Sequence, residues 1–171
     1  MKRLVAVFFA LALFCSSAGA QNEEFKKPRR SGYFFIAPGA ISLNVRQFSR
    51  PSFQIGGGFE GFIYRGLGIG MDIGGLRVGA EGASQHWTAM MSLGAIYDFQ
   101  HTAKQKVCPF IAAGLTAIPQ FDVAGGYHLG GGVKYWFAEH YGMKVEFRFQ
   151  ARPGNLRTYD DVQARIGIAI R

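Results

Sequence analysis

Six charged residues fall on one face of segments whose side chains alternate between apolar and polar. They are Glu60, Asp72, Lys134, Glu146, Arg148 and Arg165. Period-two alternation predicts β-strands, as in the run from Val145 to Phe149, where Glu146 and Arg148 share the polar face. A charge on an enclosed sheet face is costly unless it is paired, so these six side chains are predicted to form a salt-bridge network. A gated ion path is the alternative use of the same charges.

The four histidines do not form a catalytic or metal-binding arrangement in the sequence. They are scattered over predicted strands and turns, at His86, His101, His128 and His140. A nucleophilic site needs a histidine, a nucleophile and an acid within hydrogen-bond reach, and the nearest local candidate is His86-Trp87-Thr88. No metal-ligand spacing is present. The sequence therefore predicts no catalytic residue, no metal and no cofactor.

Glycine clusters and cysteine give structural rather than chemical signals. The triplets that begin at Gly56 and Gly130 lie within predicted strands and lack the Lys-Ser/Thr of a phosphate loop, so they indicate close packing or strand curvature. Cys108 is expected to be an inert buried thiol. Once the leader described next is removed, Cys108 is the only cysteine, which excludes an internal disulfide.

The first 20 residues have the pattern of a secretory signal peptide. A basic start at Lys2 and Arg3 precedes an apolar run and the small-residue site Ala18-Gly19-Ala20. We expect cleavage before Gln21, a flexible polar tail over residues 21–31 and one domain over residues 32–171. Loss of Lys2 and Arg3 lowers the net charge from +8 to +6. Nucleic acid is a poor partner for an exported protein, so anionic lipid is the expected partner of this charge.

Alternation predicts eight antiparallel strands joined by turns and loops. The predicted strands cover residues 32–43, 52–63, 66–78, 86–99, 107–117, 125–137, 141–150 and 161–171. Each is long enough to cross a bilayer at the usual tilt. Apolar faces that include aromatic residues, opposite faces with charge and glycine, and alternating short and long connections are typical of a transmembrane barrel. The predicted fold is all-β, an eight-stranded antiparallel up-and-down transmembrane β-barrel; a soluble barrel with reversed faces is the alternative.

Two strands carry more specific expectations. In the first strand the outer, apolar face is assigned to Tyr33, Phe35, Ala37, Gly39, Ile41 and Leu43. Pro38 in the same strand predicts a bulge or a local break, because proline cannot donate to the ladder. The faces of the fifth strand stay unassigned, since nearly every residue in it is apolar.

The second half of the chain resembles the small outer-membrane β-barrel family. The segments CPFIAAGLTA and GGGVKYWFAEHYGMKVEFRFQ, within residues 107–150, match the recurring second half of that family, and residues 32–99 match it in architecture. The family includes the transmembrane domain of outer-membrane protein A and the opacity-type porin-like proteins. The resemblance implies a monomer in the cell outer membrane that is folded by the barrel-assembly machinery. It also implies a structural, envelope-stabilising or surface-interaction role without catalysis.

The sequence also allows two other functions and a contact with lipopolysaccharide. A secreted soluble β-barrel binding a small apolar ligand is one alternative, and a lipid-modifying barrel enzyme is the other. His86-Trp87-Thr88 lacks the serine of lipid A deacylase barrels.

Four arginines are assigned to the outer loops, namely Arg46, Arg50, Arg152 and Arg157. They are either ordinary solvated charges or contacts to lipopolysaccharide phosphates, which arginine binds through bidentate hydrogen bonds.

Overall fold

The computed structural model describes residues 30–43, 48–64, 66–79, 87–99, 105–118, 125–152 and 159–171. The predicted leader, residues 21–29 of the predicted tail, His86, Arg46 and Arg157 lie outside these ranges. Among the residues described, no helix is long and apolar enough to cross a membrane.

Eight strands form one closed antiparallel barrel, in which each strand pairs with its neighbours in sequence and β1 closes against β8. The strands are β1 (Arg30–Leu43), β2 (Phe48–Tyr64), β3 (Leu67–Val78), β4 (Trp87–Asp98), β5 (Val107–Ala117), β6 (Gly126–Trp136), β7 (Tyr141–Arg152) and β8 (Tyr159–Ile170). The predicted fold class is confirmed. The start of β1 and the end of β8 therefore lie at the same end of the barrel as the β2–β3, β4–β5 and β6–β7 turns.

Several strand ends differ from the prediction. Strand β1 begins at Arg30, so Arg30 and Ser31 belong to the barrel rather than to the tail. The β1–β2 ladder continues to the pair Leu43–Phe48, which makes Arg50 a strand residue opposite Ile41. Strand β7 likewise extends to Arg152. Backbone pairing extends these strands through Phe48–Ser52 and Ala151–Arg152, where apolar and polar residues do not alternate. The assignment of Arg50 and Arg152 to loops was therefore wrong.

Pro38 interrupts one ladder without shifting it. It pairs with Phe53 of β2 in a register that is constant along the whole of β1. On the other side, Ile36 pairs with Ile166 and Gly39 with Gln163 in the same register, but the two positions between them are unpaired. The interruption is the local break expected where a backbone N–H is missing, and no bulge forms in either ladder.

The faces of β1 are the reverse of the prediction. Four of the residues assigned to the outside are buried inside the barrel, namely Tyr33, Phe35, Ala37 and Ile41. The alternate positions face outward, with Phe34 71% and Ile36 49% exposed. Both faces of this strand are apolar, so alternation could not separate them. The interior gains the two aromatic rings because each has a cation against it, as described below.

The other strands have the faces that alternation predicts. On β5, whose faces were unassigned, Cys108, Phe110 and Ala112 point inward while Ile111 and Leu115 point outward.

The β2–β3 turn depends on Gly66, whose φ of 88° lies in the left-handed region that favours glycine. Gly66 accepts a hydrogen bond from the backbone N–H of Asp98 over 2.8 Å, which joins this turn to the end of β4.

Candidate functional site: a charge cluster inside the barrel

The six charged residues singled out in the sequence all point into the barrel. Glu60 lies on β2, Asp72 on β3, Lys134 on β6, Arg165 on β8, and Glu146 and Arg148 on β7. Each exposes 4% or less of its surface. The alternation of each strand places them there, because the neighbouring positions carry the apolar side chains that cover the outside.

The cluster has two halves. Glu60 is the centre of the half that lies nearer the start of β1 and the end of β8. Its Oε2 accepts a hydrogen bond from Lys134 Nζ over 2.5 Å and its Oε1 accepts one from Lys144 Nζ over 2.7 Å. The hydroxyl of Ser31 also donates to Glu60, over 3.2 Å. Lys134 Nζ lies 2.9 Å from Oδ1 of Asp98. Glu60 thus binds two lysines, and Lys134 is shared between Glu60 and Asp98.

Asp72 is the centre of the other half. Its Oδ2 accepts hydrogen bonds from Arg148 Nη1 over 2.6 Å and from Arg165 Nη1 over 2.9 Å, and its Oδ1 accepts one from the hydroxyl of Tyr33. Glu146 connects the halves, since Arg148 Nε donates to it over 2.6 Å and Lys144 Nζ lies 3.3 Å from its Oε2. The cluster is therefore one continuous network.

Two members of the cluster, Lys144 and Asp98, were absent from the sequence-based set. Both alternate with the outward apolar residues of their strands, so the alternation in the sequence could have identified them. With them the cluster holds four cations and four carboxylates. Balanced charge lowers the cost of removing these groups from water, although each remains expensive to leave without its partner.

Aromatic rings pack against the cations. Lys144 Nζ lies 4.0 Å from the ring centre of Tyr33, and the guanidinium carbon of Arg165 lies 4.3 Å from that of Phe35. Lys134 Nζ lies 4.8 Å from the ring centre of Phe62. These are cation–π distances, and they explain why the rings of β1 face inward.

Little space is left around the Asp72 half of the cluster. A cavity of about 20 Å³ lies between Asp72, His128 and Arg148, room for about one water molecule. Towards the longer loops the interior contains an apolar cluster of Ile41, Leu76 and Met90. The charges around Asp72 are therefore enclosed in packed protein rather than arranged along a water column.

A second polar chain lies beside the cluster. The hydroxyl oxygens of Ser92 and Thr116 are 3.0 Å apart, and Thr116 Oγ1 is 3.1 Å from His128 Nδ1. A hydroxyl beside a histidine is part of a nucleophilic site, but here all three side chains are buried inside the barrel. Within the described ranges, no group of three or more His, Cys, Asp or Glu side chains could hold a metal ion. This row of hydrogen-bonded side chains can bridge strands β4, β5 and β6.

The outside of the barrel is an apolar belt between two aromatic rims. The rim towards the longer loops contains Phe53, Trp87, Tyr127 and Phe149, and the rim towards the termini contains Tyr64, Tyr97, Tyr135 and Tyr141. Trp87 and Tyr97 are ten residues apart on β4, which at roughly 3.4 Å per residue and a tilt of about 40° is roughly 25 Å along the axis. No outward position between the rims carries a charge in the described strands.

The structure describes only part of the set of four arginines that the sequence assigned to the outer loops. Arg50 is exposed near the rim at the longer-loop end. Arg152 is the last residue of β7, and Arg46 and Arg157 lie outside the described residues. Arg77, which the sequence reasoning did not single out, is exposed on β3 and pairs with both Phe53 and Trp87 of the same aromatic rim.

A closed barrel with an uncharged outer belt, aromatic rims and paired interior charges has the fold of the small eight-stranded outer-membrane β-barrels. Among solved structures it is similar to Neisserial surface protein A, with a TM-score of 0.69 and 15% identity over 85% of this chain and 99% of the other. The N-terminal barrel domain of Pseudomonas aeruginosa OprF gives a TM-score of 0.57 and 18% identity, over 84% and 98% of the two chains. The outer-membrane enzyme PagL gives 0.51 and 15%, over 78% and 97%. No protein-family model matches the chain, and no curated protein does either.

Proposed function

We propose that this chain is a monomeric outer-membrane β-barrel with a closed, charge-filled interior and a structural, envelope-stabilising or surface-interaction role. The observation that carries the proposal is the uncharged apolar belt between two aromatic rims. A belt about 25 Å tall is what the hydrocarbon region of an outer membrane requires. The similarity to barrels of that membrane supports the same location.

The apolar outer face and the charged interior of the barrel argue against a soluble carrier of apolar ligands. Large apolar side chains such as Phe34, Ile63 and Leu115 expose about 70% of their surface to the outside. The inside holds eight paired charges where a carrier of apolar ligands needs an apolar cavity. A barrel with these faces would expose its apolar surface to water if it were secreted in soluble form.

The proposed role does not include catalysis. PagL shows that a barrel of this fold can be an enzyme, so the fold alone leaves the question open. Ser92, Thr116 and His128 are buried inside the barrel, and Thr116 lies within hydrogen-bond distance of the other two. A hydrolase of membrane lipid needs its nucleophile where the lipid can reach it.

The proposed partners are outer-membrane lipid and lipopolysaccharide, and the barrel-assembly machinery during biogenesis. Arg46, Arg50, Arg152 and Arg157 are proposed to contact lipopolysaccharide phosphates near the longer loops. The exposed side chain of Arg50 is available for such a contact. A lower amount of copurifying lipopolysaccharide in the Arg50→Gln protein would support it, and an unchanged amount would contradict it for this residue.

Membrane insertion is tested by fractionation and gel migration. We expect the exported protein to remain in the membrane pellet at alkaline pH and to require detergent for extraction. Unheated samples should migrate differently from boiled samples, because the closed barrel resists the denaturing detergent. Recovery of the folded protein in the soluble fraction without detergent would contradict the membrane location.

The packed interior predicts no steady, large conductance in planar bilayers. Opposite charges held at 2.5 to 3.3 Å should stay together, because each is expensive to leave unpaired. We expect small current events to become more frequent in the Glu146→Ala protein, which frees Lys144 and Arg148 from one partner. Glu139→Ala, in the exposed β6–β7 turn, is the matched control and should behave like the parent. Stable porin-sized steps from the parent protein would make transport its function.

A further inference from the structure

The barrel end that holds both termini contains a cavity that the charge cluster does not fill. Its volume is about 220 Å³. Phe62 and Trp136 line it, Arg30 and Arg171 lie at its mouth, and Asp98 and Lys134 lie at its inner side. The cavity is thus at the opposite end from the longer loops and from Arg50.

The two arginines at the mouth differ from the cations deeper inside. Both are exposed, and neither forms a salt bridge to a carboxylate in the described chain. The Arg171 guanidinium carbon lies 4.4 Å from the ring centre of Trp136, and its Nε donates a hydrogen bond to the backbone oxygen of Glu139 over 2.7 Å. Arg171 is therefore held in place while the remaining donors of its guanidinium face no carboxylate.

The charges at the inner side of the cavity are already paired. Lys134 Nζ is shared between Glu60 and Asp98, at 2.5 and 2.9 Å. Within the described ranges, the mouth thus has two cations with no carboxylate partner, while the Lys134–Asp98 pair deeper in the cavity offers an anion no unpaired cation. A bound anion would keep its charged group at the mouth and point its other atoms inward.

We propose that this cavity binds a small organic carboxylate with a compact apolar body. Arg30 and Arg171 would bind the carboxylate, since a guanidinium donates two parallel hydrogen bonds to it. The rings of Phe62 and Trp136 would pack against the apolar body. Cavities of roughly 150 Å³ hold benzene, so this volume takes an aromatic ring together with a carboxylate. The site does not depend on the membrane role proposed above.

Tryptophan fluorescence can test the site directly. The chain has two tryptophans, and replacing Trp87 with phenylalanine on the outer rim leaves Trp136 in the cavity as the reporter. Titration of the refolded Trp87→Phe protein with phenylacetate should give a saturable change in fluorescence. Phenylacetamide, which has the same size but no charge, and inorganic phosphate, which has no apolar body, should both bind more weakly.

Arginine variants in the same background separate the site from nonspecific binding to detergent or surface. Arg30→Gln combined with Arg171→Gln should weaken phenylacetate binding about tenfold or more, the loss expected for charge-assisted hydrogen bonds. Arg50→Gln, at the opposite end, should leave it unchanged. If loss of the Arg171 contacts prevents folding, Arg30→Gln alone must still weaken binding. An unsaturable titration, equal binding of phenylacetamide, or unchanged affinity in the folded arginine variants would overturn the proposal.

Discussion

Replacing Phe147 with arginine should destabilise the folded barrel by about 2 to 4 kcal/mol, the cost of a cation on the lipid face near the bilayer midplane. Phe147 exposes 64% of its surface and pairs with Gly131 and Ala164, and it lies inside the apolar belt between Tyr141 and Phe149 of its own strand. The measurement is the free energy of unfolding in urea after refolding into lipid vesicles. Leu129→Arg, a second belt position with 61% exposure, should act in the same direction.

The matched control for this prediction is Phe137→Arg. Phe137 is 57% exposed, but it lies in the β6–β7 turn beyond the rim tyrosines. Arginine there should cost only about 0 to 1 kcal/mol, because the side chain reaches the interface. Equal tolerance of arginine at positions 147 and 137 would mean that the belt does not face lipid.

The second large effect is expected inside the barrel. Asp72→Ala should lower the free energy of unfolding by about 3 to 5 kcal/mol, the usual cost of breaking a buried ion pair by removing one partner. The change takes one carboxylate away from both Arg148 and Arg165 and leaves the hydroxyl of Tyr33 without its acceptor. Urea unfolding of the same vesicle-bound protein measures it.

A double-mutant cycle separates lost pairing from general disturbance of the interior. The Asp72→Ala/Arg165→Met protein restores equal numbers of cations and carboxylates, so it should lose less stability than the two single changes added together. Asp160→Ala is the control, because Asp160 is a partly exposed carboxylate at the start of β8. It should change stability by less than about 0.5 kcal/mol, as surface substitutions do. Strict additivity in the cycle would contradict direct pairing.

The interior charges also fix the register of the barrel. A slip of one residue along a strand turns every side chain to the opposite face. For β7 such a slip would place Lys144, Glu146 and Arg148 against the lipid and Phe147 against the charges. The cost of that arrangement excludes it, so the cluster selects one pairing of the strands as well as filling the barrel.

The sequence by itself determined the number of strands, their order and most of their faces. Alternation is a local property, and on β7 and β8 one face is apolar and the other polar, so each strand carries its own assignment. For the same reason the six inward charges could be named from parity. The same signal was present for Lys144 and Asp98, which belong to the cluster.

Only the tertiary structure decided the faces of β1, the ends of β2 and β7, and the partners of each charge. Tyr33 and Phe35 turn inward because cations and a carboxylate from other strands meet them there, which the apolar sequence of β1 cannot indicate. Arg148 and Asp72 are 76 residues apart, and Arg165 and Asp72 are 93 apart. Pairing at such separation depends on closure of the barrel, because closure brings β8 and β7 across from β3 and sets which side chains share its interior.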